Sequence, residues 1–326
     1  MSLPGDLVDR ILTLPPDQAW AQVGSHAWSV CAEPVEQDPG GAAVARDRSL
    51  HALDLLLSGA AWDLWQHLSG SVPAASQALK DWWAGHPPGR AILLLDGLSL
   101  REVPWLLGQA EAHGLRVRTA GWRRAEIPGD TVHFARALGV PTRASLQNDG
   151  AGAGFAFKPA RTECTDIPFQ DCADLVGAEP DQVFWHPWPD QAVHQMAPAG
   201  KGLPHLAREA RDKLRDPAFW ALVRRLAEGR RLVLTSDHGY AATGLFDDAP
   251  EAQGLYLRDL FKSGRSSPDR GEPGRWLPPA DLVLASARLA LGRRRWKCPG
   301  GYPTLAHGGL SVLEMLVPFL EMERMN

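Results

Sequence analysis

Acidic and histidine side chains follow apolar segments at widely separated places in this chain of 326 residues. Asp96 comes directly after one apolar run, Asp237 and His238 follow another, and His307 is followed by two glycines. Carboxylate oxygens and imidazole nitrogens are ligands that divalent cations bind in proteins. If the apolar runs are strands of one sheet, their carboxyl ends bring these side chains together. The pattern predicts a cluster that holds two divalent cations and hydrolyses phosphate esters.

Asp190 and His194 are four residues apart. On a helix this spacing puts both side chains on one face, where they can bind the same cation. The alternative is that Asp190, which follows Pro189, caps the start of a surface helix. Taken alone, the segment favours capping. Asp96 also has an alternative, because Asp-Gly is a common turn sequence.

Two hydroxyl groups are candidates for a nucleophile. Thr131 stands where a loop enters a predicted helix, and Ser99 lies three residues after Asp96. The positive end of a helix dipole and a bound metal ion would both lower the pKa of a hydroxyl at Thr131. Taken alone, however, this segment is better explained by Asp130 or Thr131 acting as an N-cap.

The composition is that of an ordinary globular protein. With 34 basic and 38 acidic residues the net charge is −4, so there is no overall basic field to attract nucleic acid. No segment approaches the ~18 consecutive apolar residues of a membrane span. The first residues lack the basic and apolar regions of a signal peptide. Because the four cysteines are scattered without a Cys-x-x-Cys pair, we expect a reduced, cytoplasmic protein.

The apolar periodicity divides the chain into a helical N-terminal segment, residues 1–88, and an α/β domain, residues 89–326. Trp62, Trp65, Trp82 and Trp83 are interpreted as core residues of the helical segment. Helices are predicted at 7–12, 50–57, 60–68, 75–83, 103–113, 203–214 and 218–227, and strands at 91–95, 115–119, 181–185 and 231–234. Residues 247–279 are predicted to be a surface excursion, and residues 310–320 a helix or strand interrupted by Pro318.

Together these segments resemble the PglZ domain, a branch of the alkaline phosphatase superfamily. The resemblance covers roughly residues 91–320. It is carried by Asp96 with Arg101, Pro-x-x-Thr at 128–131 with Arg-Ala-Leu at 136–138, Thr-Ser-Asp-His-Gly at 235–239, and His-Gly-Gly-Leu-Ser at 307–311 with Glu314 and Pro318. It implies an alkaline-phosphatase-like central sheet flanked by helices on both faces, preceded by the N-terminal helical segment.

The resemblance also implies residue roles. One metal ion would be held by Asp96, Asp237, His238 and the nucleophilic oxygen of Thr131, and the other by Asp190, His194 and His307. Thr131 matches the nucleophile of the family better than Ser99 does. Ser99 stands where many relatives carry an arginine, which leaves open whether Arg101 supplies the phosphate contact. Zinc is the first expectation for both ions and manganese the second.

The implied activity is that of a metal-dependent phosphodiesterase or phosphatase acting on nucleotides or oligonucleotides. The family resemblance further implies a role in bacterial phage defence of the BREX type, with other defence proteins as partners. The alternative is a non-catalytic assembly module of a multi-protein defence or signalling complex that retains the fold and the metal. The complete ligand set favours the enzyme. The sulfatase branch is disfavoured, because the chain has no Cys-x-Pro-x-Arg.

Overall fold

A central sheet of six strands organises the part of the chain that the computed structural model describes, namely residues 3–35, 37–269 and 274–325. The strands of these residues are β1 (Arg90–Leu95), β2 (Leu115–Arg124), β3 (Arg161–Cys164), β4 (Asp181–His186), β5 (Arg231–Thr235), β6 (Asp247–Asp248), β7 (Ser266–Pro268), β8 (Asp281–Leu284), β9 (Ala287–Ala290), β10 (Arg294–Arg295) and β11 (Leu316–Arg324). The central order is β2-β11-β5-β1-β4-β3. In this sheet β11 is antiparallel to both of its neighbours. Strands β1 to β5 are therefore parallel to one another, and their carboxyl ends lie at the same edge of the sheet.

Helices cover both faces of this sheet. The helices of the described residues are α1 (Gly5–Thr13), α2 (Pro16–Ala32), α3 (Pro39–Ser58), α4 (Leu68–Ser71), α5 (Ala75–Ala84), α6 (Val103–Ala110), α7 (Thr131–Ala137), α8 (Phe169–Cys172), α9 (Asp190–Met196), α10 (Leu203–Arg215), α11 (Pro217–Leu226), α12 (Glu251–Phe261) and α13 (Val312–Met315). Side chains alternate along a strand, so Ile92 and Leu94 pack towards the N-terminal helices and Leu93 towards α10 and α11. The predicted α/β class, with a central sheet between helical layers, is confirmed.

The N-terminal helices share one hydrophobic core with the sheet. Trp65, Trp82 and Trp83 are buried in this core and Trp62 packs against it, as predicted. The helix predicted at 60–68 was wrong, because Trp62–His67 is a 3-10 turn that leads into the short α4. There the indole N–H of Trp65 donates a hydrogen bond to the carbonyl of Leu57 at 2.9 Å, which folds the segment back against the end of α3.

The prediction of a surface excursion at 247–279 was wrong in part, because the segment contains the eleven-residue helix α12 and strand β7. Leu257 and Phe261 on α12 are buried against Trp296, in a small core of their own. The polar composition of the segment hid these two apolar anchors. Residues 270–273 of this prediction, like residues 1, 2 and 36 of the helical segment, lie outside the described residues.

The chain closes with α13 and the long strand β11, so residues 310–320 are both helix and strand. Pro318 lies within β11, just before Phe319, the first residue that pairs with β5. The hydroxyl of Thr235 donates a 2.6 Å hydrogen bond to the Pro318 carbonyl, which ties the two strands together beyond that pairing. No helix among the described residues combines the length and apolarity needed to cross a membrane.

Candidate functional site

The predicted ligands meet at the edge of the sheet where the parallel strands end. Asp96 follows β1, Asp190 begins α9 after β4, and Asp237 and His238 follow β5. Thr131 begins α7 after β2, and His307 lies in the loop that leads to α13 and β11. The backbone N–H of Asp190 donates to the carbonyl of Asp96 at 2.8 Å, which brings two of these loops into direct contact.

Two glycines allow this close approach. Gly97 has a φ of +73°, and a side chain there would lie 3.0 Å from the Cβ atom of Asp190. A side chain at Gly239 would lie 2.2 Å from the carbonyl oxygen of Leu313. Since glycine alone tolerates such contacts, the glycine next to Asp96 and the one next to His238 fix how closely the ligand loops pack.

The hydroxyl of Thr131 lies within a group of buried carboxylates and imidazoles. Its Oγ1 atom is 3.1 Å from Asp96 Oδ1 and 3.5 Å from His238 Nε2. His238 Nε2 is also 3.5 Å from Asp96 Oδ1 and 3.6 Å from Asp237 Oδ2. The helix cap is Asp130, whose Oδ1 accepts a 2.8 Å hydrogen bond from the His133 N–H. The Thr131 hydroxyl is therefore not used for capping.

A second group lies beside the first. His194 Nε2 is 3.2 Å from Asp190 Oδ2, and His307 Nε2 is 3.8 Å from Asp190 Oδ1. The rings of His238 and His307 stack with their centroids 4.3 Å apart, which joins the two groups. Ligand atoms of Asp190, His194 and His307 all lie within 4.8 Å of one another, and so do those of Asp96, Asp190 and His238. Asp190 thus belongs to both groups.

The charges in this site perturb one another strongly. Burial and the neighbouring charge of Asp237 raise the pKa of Asp96 to about 7. Burial alone would lower the pKa of His238, but the charges of Asp237 and Asp96 outweigh it and raise this pKa to about 10. Burial and the nearby His238 lower the pKa of His307 to about 4. Carboxylates crowded together out of water require positive charge beside them.

Two orphaned oxygens indicate where cations would bind. Asp237 Oδ2 and Asp190 Oδ1 are buried and have no hydrogen-bond partner. The other oxygen of Asp237 is held by the backbone N–H groups of Gly97 and His238, each at 3.0 Å, which aims the orphaned oxygen towards His238. Buried carboxylate oxygens are rarely left unpaired. The residues present therefore fit divalent cations, with oxygen and nitrogen donors of the kind that zinc and manganese accept.

Comparison with known proteins gives little beyond this geometry. No family model matches the chain, and no curated protein matches it. Among solved structures, murine ectonucleotide pyrophosphatase/phosphodiesterase 5 is similar at 14% identity and a TM-score of 0.40, over 72% of this chain and 87% of that chain. An inactive variant of that protein, in complex with AMP, is similar at 15% identity and a TM-score of 0.40, over 72% of this chain and 88% of that chain. Likeness at this level supports no functional conclusion.

Ser99 and Arg101 lie outside the ligand cluster. Ser99 is fully buried, and its hydroxyl accepts hydrogen bonds from the backbone and the guanidinium of Arg101. Arg101 is itself buried, where it pairs with Asp47 and donates to the Tyr240 carbonyl at 2.7 Å. These hydrogen bonds and the ion pair hold the loop after β1, and the Nε atom of Arg101 is buried without a hydrogen-bond partner.

The sequence reasoning missed Arg143. Its Nε atom lies 3.6 Å from Asp96 Oδ2, and one of its terminal nitrogens is buried without a hydrogen-bond partner. A guanidinium in this state can bind an anion at the site. Arg143 begins a 3-10 segment (Arg143–Asp149) that no apolar run predicts. In the sequence, its position near the site was indicated only by a basic residue twelve positions after Thr131.

Proposed function

We propose that this chain is a metal-dependent phosphoric ester hydrolase, a phosphodiesterase or phosphatase with Thr131 as its nucleophile. The observation that carries the proposal is the position of the Thr131 hydroxyl, 3.1 Å from Asp96 Oδ1 and 3.5 Å from His238 Nε2. Such a hydroxyl, beside a cluster with the donor set of a two-cation site, is arranged for attack on phosphorus rather than for helix capping.

Two cations would be held by the two groups of side chains. We assign Asp96, Asp237, His238 and the Thr131 oxygen to one ion, and Asp190, His194 and His307 to the other. When bound, the ions would neutralise charge on the phosphoryl group and lower the pKa of the nucleophilic and leaving hydroxyls. The orphaned oxygens of Asp237 and Asp190 support this assignment.

The residues of the chain then perform the positioning and the proton movement. The Thr131 hydroxyl donates a hydrogen bond to Asp96 Oδ1, which orients its oxygen, and its proton passes to water as the oxygen forms the bond to phosphorus. The bond from phosphorus to the leaving oxygen breaks on the opposite side, and the leaving oxygen takes a proton from water. Water then attacks the phosphothreonine, which restores the hydroxyl and releases the phosphate product. Arg143, with its unpaired nitrogen, binds a phosphoryl oxygen.

Several finer parts of the proposal rest on sequence alone. Zinc as the ion, nucleotides or oligonucleotides as substrates, and a cytoplasmic location remain predictions. So does a role in bacterial phage defence, which is supported only by the resemblance to the PglZ domain. All four cysteines are unpaired and buried, which agrees with a reducing compartment.

The first experiment compares hydrolysis of bis-p-nitrophenyl phosphate and p-nitrophenyl phosphate by the wild type and by Thr131→Ala, with zinc or manganese added. We expect turnover of at least one ester by the wild type and a loss of roughly 10³-fold or more in the variant. Acid-quenched wild-type protein should carry the phosphoryl group on Thr131 by mass spectrometry. Thr131→Ser, which keeps a hydroxyl, should retain measurable activity.

Thr13→Ala and Ser99→Ala provide the controls. The hydroxyl of Thr13 is exposed and bonds only within its own helix, to the Asp9 carbonyl, so its removal should leave turnover unchanged. Loss of activity in Ser99→Ala with full activity in Thr131→Ala would move the nucleophile to Ser99. A protein that contains metal but hydrolyses neither ester would favour the alternative, a non-catalytic assembly module.

A further inference from the structure

β2 forms one edge of the central sheet. It pairs with β11 on one side, and no strand of the described residues lies along its other side. Pro318 of β11 lies opposite Trp122 and has no N–H, so these two residues form a non-hydrogen-bonded pair. Because the two kinds of pair alternate in an antiparallel ladder, the backbone groups of Gly121 and Arg123 face β11. Those of Ala120 and Trp122 face the open side.

Two cavities flank this open side. One of about 350 Å³ lies between β2 and α5, and one of about 290 Å³ lies between β2 and α2. Pro73, Gly121 and Arg123 line both cavities. A Cβ atom added at Gly121 would have no atom of another part of the chain within 4 Å, so the strand is uncovered there. We call residues 119–123 and the two cavities the edge groove.

The edge groove is closed at one end by the chain itself. The Arg124 N–H donates to the Pro73 carbonyl at 3.3 Å, and Ala74 forms a parallel bridge with Arg124. This edge of β2 therefore already pairs with extended backbone at its last residue. An added strand could continue the sheet along residues 119–123, and its alternate side chains would enter the two cavities.

The cavity on the α2 side is mainly apolar. Ala21, Val72, Pro73 and Trp122 line it, together with the exposed Asp17. It suits an apolar side chain of an added strand, because burial of apolar surface is favourable.

The cavity on the α5 side contains a half-buried cation. The guanidinium of Arg123 donates to the Trp122 carbonyl at 2.7 Å and covers the ring of Phe319 at 4.9 Å. No carboxylate of the described residues forms an ion pair with it, and burial lowers the pKa of Arg123 without a charge to offset this effect. A half-buried guanidinium of this kind favours a carboxylate beside it.

The other charges near Arg123 have partners or are exposed to water. Glu321, which also lines this cavity, pairs with Arg231 at 2.9 Å. Arg118 pairs with Glu323 at 3.0 Å. Asp81 lies on the α5 wall and is exposed. A bound carboxylate would therefore complete the pairing of Arg123.

We propose that the edge groove binds an extended segment of a partner protein, which adds a strand to β2. The segment places a carboxylate beside Arg123 and the next, apolar side chain in the cavity on the α2 side. The proposal does not depend on the proposed hydrolase activity. A second copy of this chain fits less well, because β2 carries four arginines and no acidic residue, and two such strands would repel each other.

Titration with short peptides, followed by NMR of the ¹⁵N-labelled protein, tests the proposal. The probes are acetyl-Thr-Thr-Val-Glu-Val-Thr-Thr-amide and the same peptide with lysine in place of glutamate. The signals to follow are the amides of Ala120 and Trp122, which face the open side. The variants are Arg123→Gln and Gly121→Val, and the matched control is Arg118→Gln, which removes an arginine of the same strand that does not line the cavities.

We expect the wild type to bind the glutamate peptide about tenfold more tightly than the lysine peptide, because lysine would place a like charge beside Arg123. Arg123→Gln should lose most of this preference, and Arg118→Gln should keep it. Gly121→Val should fold, since valine is favoured in strands and has space there. It should bind neither peptide, because its side chain fills the groove.

Two results would overturn the proposal. One is that millimolar peptide leaves the amide signals of Ala120 and Trp122 unmoved, and the other is that the wild type binds both peptides equally. Sedimentation of the protein without peptide tests the other occupant. A dimer that Gly121→Val dissociates would mean that a second copy, and not a partner protein, occupies the edge groove.

Discussion

At the start of α7, the adjacent side chains of Asp130 and Thr131 make different contacts. Asp130 caps the helix through the His133 N–H, and Thr131, the next residue, points its hydroxyl at Asp96. The sequence alone left either residue as the cap, because both types are common at that position. Since the carboxylate takes the cap, the Thr131 hydroxyl is free for the nucleophilic role that we propose. This division of tasks requires the geometry and could not be decided from the residue types.

The role of Arg143 gives a prediction at this scale. Arg143→Ala should lower kcat/KM for phosphate esters by about 100-fold, because it removes the charged donor that we propose binds a phosphoryl oxygen. Arg143→Lys keeps the charge but loses the planar donor pair, so it should recover only part of the activity. Steady-state kinetics on the better of the two nitrophenyl esters measures both variants.

Arg161→Ala is a suitable comparison, because Arg161 pairs with Asp149 and Glu179 at a more exposed position. It should leave kcat/KM within about twofold of the wild type, as surface ion pairs contribute little. If Arg143→Ala hydrolyses the ester as fast as Arg161→Ala does, Arg143 does not bind the phosphoryl group.

The strands and helices that could be predicted from the sequence are those that contain a clear apolar run. β1, β4 and β5 are buried along nearly their whole length and each contains at least three consecutive apolar residues, and Asp96 and Asp237 could be placed after β1 and β5. The four-residue α8 and the eleven-residue α12 each bury only two side chains and carry no such signal. The positions of Asp190 and His307 followed from the family resemblance, since loop geometry is decided by tertiary contacts.

Glu314 of α13 makes tertiary contacts of this kind. They hold the two loops that carry His238 and His307. Its buried carboxylate accepts hydrogen bonds from the Gly309 N–H at 2.8 Å and the Ser311 hydroxyl at 2.6 Å, and it pairs with Arg265. Its backbone carbonyl accepts from the Gly239 N–H at 3.0 Å. Residues that orient metal ligands in this way commonly affect metal affinity by about 10–100-fold when they are changed.

We therefore predict that Glu314→Gln folds but binds one of the two proposed metal ions about tenfold more weakly, because the His307 loop loses its charged anchor. Competition with a chelator, followed by metal analysis of the protein, measures the affinity of each ion. Glu321→Gln is the control, since Glu321 pairs with Arg231 on β5 and touches neither histidine loop. Equal metal affinities in Glu314→Gln and Glu321→Gln would contradict a positioning role.

Across the whole molecule, a buried ion network joins three parts of the chain. Asp47 of α3 pairs with Arg101, after β1, and with Arg293, after β9, and all three side chains are almost completely buried. Asp54, two turns further along the same face of α3, also pairs with Arg293 and accepts from the Val312 N–H at 2.8 Å. The N-terminal helices are thus bound to the site-bearing loops by charge as well as by the shared hydrophobic core.

This network predicts how the molecule unfolds. Asp47→Asn should lower the free energy of unfolding by about 3–5 kcal/mol at neutral pH, because two buried guanidinium groups lose their partner.

Burial raises the pKa of Asp47, but the charges of Arg101 and Arg293 outweigh it and hold this pKa below its usual value. The stabilisation is therefore present above the pKa of an unfolded aspartate and is lost as the pH falls through the lower pKa of the folded state. The difference in the free energy of unfolding between Asp47→Asn and the wild type should shrink on acidification. Asp17 is exposed, so the free energy of unfolding of Asp17→Asn should differ little from that of the wild type at any pH.

Urea unfolding followed by tryptophan fluorescence measures these free energies. It should show one transition, because residues 1–88 and the sheet share a core. Two separated transitions, of which Asp47→Asn shifts only the first, would mean that the helical segment folds on its own and that the network does not join it to the site.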